Sequence, residues 1–429
     1  MKTTNKLLFE LQDGVYDSCI EAVTGPGSDS RMRESLEAAL HGFEGDFGQM
    51  EVSVYGAPFT VPLLGEFTEP QNGAVLSAAI DSELILVICE SEDKMVHLYS
   101  EAKGLIELDP WGLKRNENEV RSEKGLVRGI LSELKQRGYE IGGFNAYILG
   151  RAPFDIDEIY VPTLEVLLTR AIYELFNSGE LSKYELAEIG QGASNSHYDI
   201  PSGIARQLAA EMGGISFADF KRPGIPISSK VAGEALPRDY RIVLTQLYPK
   251  AILNERTDID ALGDVARELR QAAGVIGTGV LRDVPNDVVI EHSAAIRDKL
   301  GDRALLRSFC YMGEVVRTLE AGSYIITDDV DKFLNTFKLA GNSRFKYLQS
   351  YGVANAPTFE DLAIALAVSS YMMAALRQLW ETERRGYPLQ LPDPGESMIM
   401  SNPCSWYLAA DLRMRFRMCV ASVAADCSD

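Results

Sequence analysis

Residues 221–239, "KRPGIPISSKVAGEALPRD", divide this chain more sharply than any other stretch. Pro223, Pro226 and Pro237 each lack a backbone donor and fix φ, and Gly224 and Gly233 loosen what lies between them, so neither a helix nor a central strand runs through. Separate sets of helical and strand patterns lie on either side. At 429 residues the chain also exceeds the size at which one core stops growing. Two domains are predicted, 1–225 and 226–429. Hydrophobic residues at 46% and charged residues at 24% supply two cores without straying from ordinary globular usage.

In the first half, residues 31–43 place Leu36, Ala39, Leu40 and Phe43 on one helical face. Four short runs, "MEVSVYG", "GAVLSAAI", "ELILVIC" and "KMVHLYS", read as strands joined by hairpins. "EKGLVRGILSELKQRGYEIGGFNAYILG" reads as a helix, a glycine stop and a strand. The clearest helix is "TLEVLLTRAIYELFN", where Leu164, Leu167, Leu168, Ala171, Ile172, Leu175 and Phe176 form one stripe. A helix over 201–212 ends at Gly213 and Gly214, followed by the strand "GISFADF".

In the second half, "YRIVLTQL" reads as a strand, and residues 258–273, 304–319 and 328–340 as helices. Thr327 is the expected start of the last, with Asp328, Asp329 and Asp331 near the positive helix end. These aspartates lack the glycine and glutamate that a calcium loop needs, so they read as capping residues. The tail segment "DLRMRFRMCV" alternates Leu412, Met414, Phe416 and Met418 against Arg413, Arg415 and Arg417, a strand with one cationic face.

With 62 acidic against 42 basic residues, the formal charge of −20 disfavours nucleic acid and anionic membranes as partners. The first residues hold too short an apolar run for a secretory signal, and no stretch is long and apolar enough to span a bilayer, so a cytoplasmic location is expected. The six cysteines follow no CxxC or zinc-ligand spacing and read as reduced thiols. No metal site is expected. Neither HExxH nor GxSxG occurs, and "GVIGTGVLRD" lacks the strand-before, helix-after context of a dinucleotide fingerprint.

"GAPFTVPLLGEFTEPQNGAVLSAAID" (56–81), "GLVRGILSELKQRGYEIGGFNAYI", "IGQGASNSHYDIPSGIARQLAAEMGGISFADF" and "GDRALLRSFCYMGEVVRTLEAGSYIITDDVDKFLNTFKLAGNSRFKYLQSYG" occur in the order found in galactokinases. Through them the chain resembles the galactokinase family of the GHMP small-molecule kinase superfamily over most of residues 30–375. The resemblance implies an α+β fold of two domains, a ribosomal-protein-S5-like N-terminal one and a ferredoxin-like C-terminal one, with a ligand site in the cleft between them.

Phosphoryl transfer is mostly positioning plus neutralisation of charge, so it needs backbone donors, cations and a group to orient the attacking hydroxyl. The family's phosphate loop resembles Pro-x-Gly-x-Gly-Leu-Ser-Ser-Ser-Ala, and this chain has "APFDIDEIYVPTLEV" in its place. Asp155 and Asp157 stand where glycines would be, Ile159, Tyr160 and Val161 replace serines, and Pro162 replaces an alanine; Leu164, Glu165 and Val166 are shared. Asp155, Asp157 and Glu158 would meet a nucleotide with like charge, each contact costing about 4 kcal/mol at 4 Å in an effective dielectric near 20. Pro162 fits the first turn of the following helix.

The resemblance puts the family's catalytic aspartate at Arg206 in "PSGIARQ" and the catalytic arginine of its Gly-Arg-x-Asn pattern at Thr60, with Phe59 in place of the glycine. A guanidinium cannot serve as base. In the sugar signature Glu66 and Thr68 remain, while histidine has become Phe67, aspartate Glu69 and tyrosine Pro70. The family's Tyr-Asn-x-Arg-Arg resembles "LNERT", with Leu253 for the tyrosine, and its third, glycine-rich motif finds no counterpart after residues 359–373. The expectation is a galactokinase-like protein without phosphoryl transfer. Glu66, Thr68 and Glu69 are its candidate contacts to a sugar or other small polar ligand, a protein is its other candidate partner, and no cofactor is expected. The alternative is an active ATP- and Mg2+-dependent sugar-1-kinase with a rearranged site.

Overall fold

The computed structural model describes residues 1–24, 29–101, 103–150, 157–199, 202–222, 224, 226–231, 240–245, 257–349, 398–402 and 404–410. They form two compact units, one of Met1–Val61 and Ser77–Ser216, the other of Pro62–Leu76 and the described residues from Phe217 onward. The division falls before the expected 225/226 boundary. It also assigns Pro62–Leu76 to the second unit, because Phe67 is part of a core with Leu269, Tyr311 and Leu348.

The first unit opens with β1 (Lys2–Thr3), α1 (Thr4–Gln12), α2 (Asp17–Thr24) and α3 (Asp29–Phe47). Next come β2 (Glu51–Leu64), β3 (Ala74–Glu90), β4 (Val96–Ser100) and β5 (Gly104–Leu108), then α4 (Glu123–Gln136) and β6 (Phe144–Leu149). The strand order is β1-β2-β3-β6-β4-β5. β6 pairs antiparallel with β3, Val87 opposite Tyr147, and parallel with β4, Leu98 opposite Ala146. The parallel pair needs a crossover, and α4 supplies it. On one sheet face Ala39, Leu40 and Phe43 of α3 are buried with Val52, Ile85 and Val87, as the helical spacing predicts.

"GAVLSAAI" and "ELILVIC" were expected as two strands and are one, β3. Between them stand only Asp81 and Ser82, and neither enforces a turn as glycine or proline would. The unit continues with α5 (Asp157–Phe176), α6 (Lys183–Ala193), a π turn (Ser194–Tyr198) and α7 (Ala205–Met212). Reciprocal hydrogen bonds between Ser182 and Glu185 cap α6, a motif worth about 1 kcal/mol. α5 begins earlier than its apolar stripe, so Pro162 lies inside the helix rather than in its first turn. The Thr163 hydroxyl, 3.3 Å from the carbonyls of both Ile159 and Pro58, ties this part of α5 to β2.

β7 (Ile215–Asp219) pairs with β3 and with β8 (Ile227–Lys230). The second unit adds β9 (Tyr240–Thr245), α8 (Thr257–Ile276), α9 (Asn286–Glu291), α10 (Ser293–Leu300), α11 (Asp302–Ile326), α12 (Val330–Ser343), a second π turn (Arg344–Leu348), β10 (Met398–Asn402) and β11 (Cys404–Ala410). β11 lies between β10 and β9, antiparallel to both. α12 is capped by Asp329, which accepts from the Lys332 N–H, two residues beyond the expected Thr327. Leu269, Ala272, Val289, Ile296, Ala304 and Tyr311 form the core of this unit.

Asp155, Leu253, residues 359–373 and the alternating strand at 411–420 lie outside the described residues. Among the described residues no helix is long and apolar enough to cross a membrane, and no cluster of three metal-ligating side chains occurs. Cys19, Cys89 and Cys310 are free thiols.

Candidate functional site

The three candidate sugar-contacting residues, Glu66, Thr68 and Glu69, share one 3-10 turn, Glu66–Gln71, in the second unit. The turn is entered through Gly65 at φ 80°, where a Cβ would lie 1.9 Å from the Ala74 carbonyl oxygen. Only glycine fits. It is left through Asn72, also left-handed. The fully buried Thr68 holds the turn closed: its hydroxyl lies 2.6 Å from the Gly65 carbonyl and 3.0 Å from that of Ala74, and its oxygen accepts the Ala74 N–H at 3.2 Å.

Phe67, where a galactokinase-like signature carries histidine, points into the core with the Arg344 guanidinium 5.8 Å from its ring centre. Glu66 and Glu69 are half-buried and keep some exposure to solvent. They are the two acids of this turn.

α11 anchors both ends of the turn. Tyr311 donates its hydroxyl to the Gln71 carbonyl at 2.5 Å, and the Gln71 side-chain oxygen accepts the Leu281 N–H at 3.0 Å. Glu314, one helical turn further along, accepts the Gly65 N–H at 3.1 Å through the same oxygen that takes Nε (3.0 Å) and Nη2 (2.5 Å) of Arg344. Its other oxygen takes Arg317 at 3.2 Å. Glu314 is fully buried and Arg344 nearly so. Burial opposes the charged carboxylate, but the two guanidiniums and the Gly65 N–H outweigh it and hold its pKa below the usual glutamate range.

The residues at the expected catalytic and phosphate-loop positions are in the first unit. Thr60 is buried on β2 beside Phe59, and Phe59 is completely enclosed. The Phe59 ring lies 6.4 Å from that of Tyr160, inclined at 31°. Tyr160 donates its hydroxyl to Glu123 at 2.6 Å; Glu123, in the first turn of α4, is buried and also accepts from Ser100 at 3.3 Å. Burial, then the Glu123 charge, pushes the Tyr160 phenol up, so it remains a donor at any physiological pH. Ile159 is buried next to it, and Asp157 is the first residue of α5. An aromatic contact therefore stands where the resemblance places a glycine and a phosphate-loop serine.

Arg206 lies in the first turn of α7, partly buried. Its neighbour Gln207 is fully buried and donates to Glu165 at 2.8 Å and to Ser202 at 3.1 Å. Ser194, the first residue of the π turn, donates to the other Glu165 oxygen. With no cation among these partners, burial pushes the Glu165 carboxyl up to about 8, against the two hydrogen bonds that favour its charge. Two enclosed glutamates thus sit on opposite sides of their ordinary range, Glu314 beside arginines and Glu165 beside neutral donors.

The site positions expected from sequence are Glu66, Thr68, Glu69, Thr60, Arg206, Asp155, Asp157, Ile159 and Tyr160. Glu123, Glu314 and Arg344 are not among them, and Glu165 enters there only as one of the residues shared with the family's loop. One signal was available: Glu165 is an acid inside the apolar run "LEVLL". Glu314 and Arg344 are ordinary helix residues in sequence, and only packing pairs them.

No family model matches the chain. It is 29% identical to the galactokinase of Lactococcus lactis subsp. lactis strain IL1403 over 280 residues, covering 63% of this chain and 67% of that protein. Its fold is similar to that of the Lactococcus lactis galactokinase solved in complex with galactose, with a TM-score of 0.70 and 24% identity, over 91% of this chain and 94% of the other. Methanococcus jannaschii mevalonate kinase shares the fold at a TM-score of 0.53 and 12% identity, over 88% and 96% of the two chains. The α+β architecture is that of the GHMP kinases.

Proposed function

We propose that this chain, which is a divergent member of the galactokinase family, has kept the galactokinase-like fold as a sugar-binding or regulatory protein and does not transfer phosphate from ATP. One observation carries the reading. Phe59 and Tyr160 meet at 6.4 Å, with Tyr160 hydrogen-bonded to the buried Glu123, at positions where the sequence resemblance implies glycine and serine. A phosphate cradle depends on small residues whose backbone N–H groups approach the anion, and a ring beside a buried carboxylate offers neither.

Three features of the sequence point the same way. Asp155, Asp157 and Glu158 would repel a triphosphate, Arg206 cannot act as a base, and Thr60 brings no positive charge. The ligand that fits best is a neutral polyol held through Glu66 and Glu69, galactose being the first to test because the galactokinase sharing the fold was solved with it. Ionised carboxylates accept hydrogen bonds from vicinal hydroxyls.

The test pairs calorimetric titration of galactose with a coupled assay for ATP consumption in the presence of Mg2+ and galactose. Heat of binding without turnover is expected. Turnover comparable to that of an active galactokinase assayed alongside would replace this reading with that of an ATP-dependent sugar-1-kinase.

A further inference from the structure

We infer that Glu314 and Tyr311 act together as a clamp that positions the ligand-contacting turn, with Glu314 as the residue that sets the orientation of Glu66 and Glu69. The inference rests on the sugar-binding reading of that turn, and it explains a feature that the reading leaves over. A fully buried, ionised glutamate between two arginines is expensive to enclose, and such groups are weak devices for stability alone.

Its geometry favours positioning. Glu314 and Tyr311 are one helical turn apart on α11, so they share a face. Glu314 takes the N–H of Gly65, immediately before Glu66, and Tyr311 donates to the carbonyl of Gln71, the last residue of the turn. The two acids lie between these fixed points. The floor is equally constrained: Thr68 bridges Gly65 and Ala74, and Thr318, whose hydroxyl donates to the Glu314 carbonyl, lies 2.9 Å from where a Gly65 Cβ would be.

Arg344 completes the arrangement. It pairs with Glu314 through two nitrogens and lies against the Phe67 ring. Arg344 opens the π turn that follows α12, and π turns often mark sites where regular helix has been given up for function. The turn is thereby fixed to the C-terminal end of α12 as well as to α11.

The test uses the full chain with Glu314→Gln, Glu314→Asp and Tyr311→Phe. Tyr311→Phe removes one hydrogen bond and leaves no charge stranded, so it remains informative if the Glu314 variants fail to fold. Amide hydrogen exchange followed over peptides covering 62–76, α8 and α11 is combined with galactose titration.

Exchange in 62–76 is expected to accelerate about tenfold in Glu314→Gln and in Tyr311→Phe while α8 and the rest of α11 stay protected, with galactose affinity falling in parallel. Glu314→Asp, which keeps the charge, should recover part of the affinity. Unchanged exchange in 62–76, or loss of protection spread evenly over the second unit, would overturn the clamp. A wild-type chain that binds no galactose would remove the sugar reading and the clamp's service to that ligand, while the exchange data would still decide whether the clamp exists.

Discussion

The Tyr160 hydroxyl donates to the buried carboxylate of Glu123 at 2.6 Å, linking the start of α5 to the first turn of α4. Removing it with Tyr160→Phe leaves Glu123 with one donor fewer. We expect a loss of about 1–3 kcal/mol, measured by urea denaturation at neutral pH. ATP-dependent turnover should stay at background, because the phenylalanine still occupies the position.

On the proposed reading, supplying the two catalytic groups of the family pattern should not produce a kinase. The double variant Thr60→Arg, Arg206→Asp supplies the cation and the carboxylate of the family pattern, yet it leaves Asp155, Asp157, Glu158 and the Phe59–Tyr160 contact in place. Each uncompensated like-charge contact costs about 4 kcal/mol before screening. A coupled assay on galactose should remain at background. Turnover well above it would mean that the acidic loop and the Phe59–Tyr160 contact do not exclude the nucleotide.

Glu165 imposes a pH dependence of definite sign. Its carboxyl is pushed up to about 8 when folded, against an ordinary glutamate value of 4.5 when unfolded, so between these values the folded state holds the extra proton. Stability from this group is complete below about pH 4.5 and is lost as pH rises through 8. In Glu165→Gln, midpoints of urea denaturation measured between pH 5 and 8.5 should fall less steeply than in wild type. Parallel profiles would mean that Glu165 is ionised throughout.

Glu314 acts in the opposite sense. Its pKa is depressed in the folded state, so its contribution is present above the unfolded value and is lost as pH falls through the folded one. Arg344→Met, which removes the doubly bonded guanidinium and leaves the carboxylate enclosed, should cost about 3–5 kcal/mol at neutral pH. It should also weaken the acid-limb loss of stability. Differential denaturation at pH 7 and pH 4 measures both effects.

The 1.9 Å approach of a Gly65 Cβ to the Ala74 carbonyl predicts that Gly65→Ala is poorly tolerated, through the positive φ and the clash together. A lower melting temperature and faster exchange in 62–76 are expected. A variant with wild-type melting would show that the turn can relax.

Much of this protein was legible in its sequence. The stripes of α3 and α5, the strand-rich first half and the glycine stop after α4 follow from local periodicity and residue type, which act within a few residues along the chain; the family resemblance rests on motifs shared with galactokinases, in the same order. Where sequence reasoning slipped, neighbours had overridden local preference. Asp81 and Ser82 lie within one continuous strand; Pro162 is carried inside a helix tied by Thr163; and Pro62–Leu76 belongs with helices more than 200 residues later, as the 249-residue separation of Gly65 and Glu314 makes plain.

What each side chain would do at its position was decided only by tertiary structure. Thr68 became the lock of a turn, Phe67 part of a core, and Glu165 and Glu314, identical in sequence terms, were driven to opposite sides of their ordinary titration range. A carboxylate's state depends on the charges and donors that surround it in space. Chain order does not specify those until the fold has brought distant segments together.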